Sequence, residues 1–306
     1  MRKLKLGKSD LEVGAISLGC MRMGELPIRD ASEVLANALE NGVDLFDHAD
    51  IYGKGESESV FAQALNLNED GRESIKIQTK CGIRKGFFDF SKEHILASVE
   101  GSLKRLNTDY IDSLLLHRPD VLIEPEEVAE AFAVLKESGK VRFFGVSNQN
   151  PMQMELLNKY LGDEHLMINQ LQLSLVHTPM IDAGFNVNMQ NDPSINRDGH
   201  VLDYCRLNDI TVQAWSPFQH GMIEGPFVGN DSFPEVNKKL QELAEKYEVT
   251  DSAIAIAWIL RHPANIQPVV GTMNTQRLTD ITKAFDITLS RQEWYELYRS
   301  AGNNLP

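Results

Sequence analysis

Tyr52 stands five residues after Asp47 in FDHADIYG (46–53), directly behind the apolar run VDLF. A phenol has an ordinary pKa of about 10 and scarcely ionises at neutral pH. A lysine ammonium at hydrogen-bonding range changes this, because it stabilises the tyrosinate and lowers the phenol's pKa. A carboxylate in turn keeps that ammonium charged and oriented. A phenol so placed gives its proton to an oxygen that is gaining negative charge, as a carbonyl oxygen does on becoming an alkoxide. The chain offers the lysine as Lys80, which ends IKIQTK (75–80). It offers an imidazole as His117, which ends IDSLLLH (111–117) and would steer the same oxygen or share the proton transfer.

Each residue also has a plainer use. Asp47 and Lys80 suit a structural ion pair, with Tyr52 as a lid residue and His117 as a strand cap. Lys80 would also suit a Schiff-base aldolase, in which an amine at a strand end attacks a carbonyl. His48 and Asp50, with His117, suggest a metal only weakly, since consecutive loop residues need not point inward and no third ligand is fixed; no metal is expected. A proton donor alone reduces nothing. Direct reduction needs a hydride, which side chains do not supply and a nicotinamide does. Ser147, Asn148 and Gln170 offer hydrogen bonds matching a carboxamide, and Trp215 offers a flat face. Their ordinary roles are, for Ser147–Asn148, capping the helix after Pro151 and, for Trp215, filling a rim.

The elements that would position these groups alternate regularly. Candidate strands are 15–19, 43–47, 75–80, 111–117, 141–148, 167–173, 210–216 and 266–271. LLL and VRFFGV read as nearly continuous apolar runs, as parallel strands covered on both faces do. Between them lie helical segments: Ser91 caps SKEHILASVEGSLKRL, Pro125 opens PEEVAEAFAVLKESG, Thr250 caps DSAIAIAWILRH, and Ser290 to Glu293 form a capping box for a terminal helix. Eight such units predict an α/β fold, a (β/α)8 TIM barrel, in one domain over 1–306 with a long polar excursion at about 180–200. An open doubly wound sheet is the rival. GKGESE, however, lacks the third small residue of a dinucleotide fingerprint, and no P-loop is present. Functional groups of such a barrel gather at the C-terminal ends of its strands, where Asp47, Lys80 and His117 fall. Cys20, Met21, Met23, Phe87, Phe88 and Phe90 are expected to supply an apolar pocket wall.

The 306 residues are 42% hydrophobic and 24% charged, which supports a packed core and argues against long disorder. The formal charge of −14 opposes nucleic-acid binding over most of the surface. MRKLKLGKSD is basic without an apolar core behind it, and the longest apolar run is AIAIAWIL (253–260), so neither a leader nor a membrane span is expected. Three isolated cysteines fit a reducing compartment. These features predict a soluble cytoplasmic protein acting on a small molecule, as a monomer or weak homo-oligomer.

FDHADIYG, IKIQTK, LLLHRPD, GKVRFFGVSN, NQLQLS, QAWSPF and GT-x4-R (271–277) occur in this order along the chain. The ordered set resembles the aldo-keto reductase family, in particular a bacterial branch of it. The resemblance implies reduction of an aldehyde or ketone by NADPH, with NADH as the second option. It implies Tyr52 as proton donor, Lys80 lowering its pKa, Asp47 supporting the lysine, and His117 orienting the carbonyl. It assigns Ser147, Asn148 and Gln170 to the nicotinamide amide, Trp215 to the ring and Ser216 to the pyrophosphate, with QHGMIEG (219–225) folding over the cofactor. Gly271 stands where many members have lysine, and Ile281 replaces an asparagine; Thr272 and Arg277 remain for the adenosine 2′-phosphate. The same resemblance admits a nicotinamide-binding regulatory subunit.

Overall fold

The computed structural model describes residues 2–65 and 69–305. Eight parallel strands close into a barrel: β1 (Ser17–Gly19), β2 (Leu45–Asp47), β3 (Lys76–Cys81), β4 (Ile111–Leu116), β5 (Val141–Ser147), β6 (Leu166–Gln172), β7 (Thr211–Trp215) and β8 (Gln267–Val270). Each pairs with its neighbours in sequence, and β8 returns to β1 through Val270 opposite Leu18. Closure rules out the open sheet. All eight candidate strands are present, with ends displaced by a few residues. Every residue of β4 and β6 is buried, as strands covered on both faces require.

Helices follow the strands on the outside, among them Ile28–Glu40, Glu56–Leu65, Lys92–Leu106, Pro125–Glu137, Pro151–Asn158, Val201–Leu207 and Thr275–Thr282. The expected caps form where their chemistry placed them. Ser91 accepts from His94 N, Thr250 from Ala253 N, and Ser290 exchanges both capping-box bonds with Glu293. The helix beginning at Pro151 is capped by Asn150, which accepts from Gln153 N at 3.0 Å. Ser147 and Asn148 lie too far before it for that duty and turn to the barrel mouth.

Two features were not read from the sequence. An antiparallel hairpin, Lys3–Lys5 with Glu12–Gly14, covers the N-terminal ends of the strands. Its Leu6, Leu11 and Val13 pack with Leu45, Met167 and Ile168. Gly7, at φ +53°, donates to Thr211 Oγ1 at 2.7 Å, and a Cβ there would stand 2.6 Å from the Met167 carbonyl oxygen. Only glycine permits that approach. The second is in the excursion at 180–200, which opens as a helix, Pro179–Phe185. This helix packs Phe185 against Tyr295 and Tyr298 of the terminal helix Arg291–Ser300 and ties Asp182 to Tyr298 Oη at 2.7 Å.

Candidate active site

Backbone bonds carry the strand ladders past their last paired residues and set the loops of the mouth. Cys20 N reaches Asp47 O, His48 N reaches Gln78 O, Asp50 N reaches Lys80 O and His117 N reaches Cys81 O, all at 2.8–3.0 Å. Asp47 thereby sits at the end of β2, Lys80 near the end of β3 and His117 just beyond β4. Tyr52 occupies the turn Tyr52–Gly55, whose Gly53 and Lys54 both adopt φ near +58°. Behind this turn Glu58 accepts from Thr79 Oγ1 and from Arg105 Nε, each at 2.7 Å. A Cβ on Gly55, at φ +95°, would lie 2.7 Å from Arg105 Cδ, so glycine lets the arginine reach Glu58.

The four groups named from the sequence converge. Lys80 Nζ, fully buried, donates to Asp47 Oδ1 at 2.7 Å, Asp47 Oδ2 at 2.8 Å, His48 O at 2.8 Å and Tyr52 Oη at 3.3 Å. The Tyr52 and His117 rings meet edge to face with centroids 5.8 Å apart. Burial works against the charge on Lys80, but Asp47 and then Tyr52 outweigh it and hold the ammonium above its ordinary range.

The expected pull of Lys80 on the phenol is present, but it is not the largest influence. Burial raises the Tyr52 pKa, Lys80 pulls it down, and Asp47 adds to the rise; the net shift is upward. The lysine therefore does not leave a resting phenol of low pKa. It moderates the effect of burial on the phenol. Burial, followed by the charges of Lys80 and Arg118, lowers His117 to about 2, so its ring is neutral and offers one N–H.

Below this set the barrel interior holds amides where branched apolar side chains commonly fill such barrels. Gln78 Nε2 donates to Asp47 Oδ1 at 2.6 Å and to Gln213 Oε1 at 2.8 Å. Gln170 Nε2 donates to the same two oxygens at 3.1 and 3.0 Å. Gln213 Nε2 continues to Gln267 Oε1 at 2.9 Å, and Gln267 Nε2 reaches Gly14 O at 2.7 Å. The Asp47 carboxylate and the Gly14 carbonyl both only accept, which fixes the direction of every amide between them. Gln78, Gln213 and Gln267 were missed in the sequence. The available signal was period two, since Gln78 precedes Lys80 by two residues and Gln213 precedes Trp215 by two.

The residues expected at a nicotinamide form one connected patch with Asp47. Ser147 Oγ donates to Gln170 O at 3.0 Å and accepts from Asn148 Nδ2 at 2.7 Å; Asn148 Oδ1 accepts from Trp215 Nε1 at 3.1 Å. Ser216 (φ +51°) follows β7. Thr272 is buried after β8, with Oγ1 accepting from Asn274 N at 3.2 Å, whereas the Arg277 side chain is exposed on the first turn of Thr275–Thr282. The loop carrying Gly271 is held by Arg22, which donates to the Gly271 carbonyl. The expected pocket wall divides. Cys20, Met23 and Phe90 are core residues, whereas Met21, Phe87 and Phe88 are exposed. His48 is also a core residue, edge-on to Phe61 at 4.5 Å.

A closed parallel barrel with a buried carboxylate–ammonium pair beneath a phenol defines an acid–base site at the C-terminal face. Residues 15–300 match the model of the aldo/keto reductase family. The chain is 36% identical to the uncharacterized oxidoreductase YcsN of Bacillus subtilis, over all of both chains. It is 35% identical to a 6-dehydroglucose reductase of Agrobacterium fabrum, covering 95% of each. The crystal structure of the thermostable aldo-keto reductase Tm1743 with the inhibitor epalrestat superposes with a TM-score of 0.78 at 26% identity, covering 98% of this chain and all of that one. The chain belongs to the aldo/keto reductase family, and its oxidoreductase relatives support carbonyl reduction.

Proposed function

We propose that this protein reduces an aldehyde or ketone to an alcohol, with NADPH as hydride donor and Tyr52 as proton donor. The observation that carries this reading is the single ammonium of Lys80, bonded at once to both Asp47 oxygens and to Tyr52 Oη. Bound NADPH would supply the hydride to the carbonyl carbon. The chain's own residues handle the oxygen. The neutral His117 ring gives it an N–H and Tyr52 Oη transfers its proton. Lys80 then stabilises the phenolate left behind while Asp47 keeps that lysine charged.

The residues present fit the cofactor. Trp215 has its indole N–H held by Asn148, which sets the plane of a partly exposed ring, and the Ser147–Asn148–Gln170 patch adjoins it. At the far end Arg277 extends an exposed guanidinium suited to a 2′-phosphate, which favours NADPH over NADH. The relative named 6-dehydroglucose reductase agrees with carbonyl reduction. An aldolase reading loses support at Lys80, whose N–H groups are all engaged and whose charged form is favoured, so it offers no free lone pair. The complete proton-handling set likewise favours chemistry over a purely regulatory role.

In the same reading the protein acts in the cytoplasm on small carbonyl compounds, without nucleic acid or membrane, as a monomer or weak homo-oligomer. Its three cysteines are free and buried. Among the described residues no helix is long and apolar enough to cross a membrane. The test is Tyr52→Phe. Reduction of an aldehyde should fall by about 10²–10⁴-fold, the usual worth of a positioned acid, while NADPH binding followed by fluorescence stays nearly unchanged. Activity comparable to the parent protein would remove Tyr52 from the mechanism.

A further inference from the structure

We propose that Arg118 holds an anionic group of the substrate, so that the carbonyl compound taken by this site carries a carboxylate or a phosphate. This rests on the carbonyl-reducing reading above and names its substrate class.

Arg118 directly follows His117 beyond the end of β4, yet its guanidinium carbon lies 5.5 Å from the centroid of the Trp215 ring at the end of β7. The two side chains therefore meet over the mouth of the barrel, where the Trp215 indole also leans back to Asn148 beyond β5. Arg118 is partly buried and lies within electrostatic reach of Tyr52, which opposes the loss of charge that burial favours. The other arginines that are not exposed, among the described residues, each give an N–H to oxygen. Arg72 and Arg142 bind Asp112, Arg105 binds Glu58, and Arg261 binds Leu289 O. Arg118 has no such partner among the described residues and meets only an aromatic face, which compensates a cation in part.

Two carboxylates, Asp47 at the mouth and Asp120 in the same loop as Arg118, are already engaged. Asp47 accepts from Lys80, Gln78 and Gln170. Asp120, two residues along, accepts from Leu122 N at 2.9 Å and Phe90 N at 3.3 Å. A guanidinium keeps its proton and, once withdrawn from water, needs an acceptor; its fork fits a carboxylate or phosphate with two parallel bonds. Beside His117 and Tyr52, that acceptor sits within a small molecule's length of the reacting carbonyl. The whole chain carries −14, so its general field repels anions and a local cation is needed to hold one.

The experiment pairs charged aldehydes with neutral ones. 2-, 3- and 4-carboxybenzaldehyde are each compared with the matching carbamoylbenzaldehyde, and glyceraldehyde 3-phosphate with glyceraldehyde, following NADPH oxidation. The wild type should prefer the anion by about 10- to 100-fold in kcat/KM for at least one pair, chiefly through KM. The pair that shows it tells carboxylate from phosphate. Arg118→Met should bring that ratio close to one, and Arg118→Lys should restore part of it. No preference in the wild type, or a preference kept by Arg118→Met, overturns the proposal. So does an equal loss for charged and neutral partners with weaker NADPH binding, which would place Arg118 against the cofactor.

A second arm does not depend on turnover: benzoate or inorganic phosphate should raise the melting temperature of the wild type and not of Arg118→Met. If no aldehyde oxidises NADPH, the carbonyl-reducing reading fails. This arm then still decides on Arg118, because absence of a shift in the wild type removes the anion site. Should Arg118→Met not fold, Arg118→Gln takes its place in both arms.

Discussion

Lys80 gives its hydrogens to Asp47, His48 O and Tyr52, and that full engagement makes it a fixed charge rather than a nucleophile. Tyr52 rests protonated because burial outweighs the lysine's pull. In the proposed reaction, a phenol kept protonated over the neutral range would give its proton only when the carbonyl oxygen gains charge. Arg277 poses the converse case, an exposed arginine whose worth depends on a phosphate being there. A charged hydrogen-bonded contact contributes about 1.5–3 kcal/mol. Arg277→Ala should therefore weaken NADPH by about 10- to 100-fold in Kd and leave NADH almost unchanged, in titrations followed by fluorescence. Equal weakening of both would detach Arg277 from the 2′-phosphate.

Among the strands, the Asp47 carboxylate is held by amides from β3 and β6, and those amides are oriented by Gln213 from β7. Gln78→Leu removes one donor to Asp47 and strands Ser113 Oγ, which now donates to Gln78 Oε1 at 3.0 Å. It should cost about 1–3 kcal/mol in urea unfolding and lower kcat while KM changes little. Gln267→Leu, at the far end of the amide chain, should cost similar stability with a smaller fall in kcat. If both variants lowered kcat equally, the amides would matter only as packing. The strand ends that bear Asp47, Lys80 and His117 were legible because each closes a short run rich in Val, Ile, Leu or Phe within a regular alternation with helices. The amides were not, because a glutamine inside a strand reads as a solvent-facing residue until the barrel closes. Gln78 meets Gln213 across 135 residues of sequence. The Met21 neighbourhood shows a similar limit. Cys20 and Met23 are fully buried and Met21 is half exposed, a division that membership in one loop does not reveal. The three-residue strands of the N-terminal hairpin carry too little pattern to be recognised beforehand.

Across the whole molecule, closing the barrel over polar groups ties stability to pH. His48 is buried against Phe61, neither ring nitrogen has a partner among the described residues, and burial followed by the Lys80 charge lowers its pKa to about 3. The unfolded chain would protonate it at about 6.5. Below that value the unfolded state binds the proton and the folded state does not, so stability present above pH of about 6.5 is lost as pH falls toward 3. His117 acts in the same direction over a similar window. Asp50 opposes them: burial, then Glu58, raises its carboxyl to about 6, so its charge is unfavourable above that pH and the penalty fades as it protonates on acidification. Two groups lose stability where one regains it, and each unit of pKa difference is worth about 1.4 kcal/mol. Urea midpoints should therefore fall steadily from pH 7 to pH 4. His48→Phe places an apolar ring of similar size beside Phe61 and keeps the His48 backbone carbonyl bonded to Lys80, so it should flatten that decline while altering stability at pH 8 much less. A decline of the same steepness in His48→Phe would mean that acid unfolding is driven elsewhere, and His48 would then be only a packing residue.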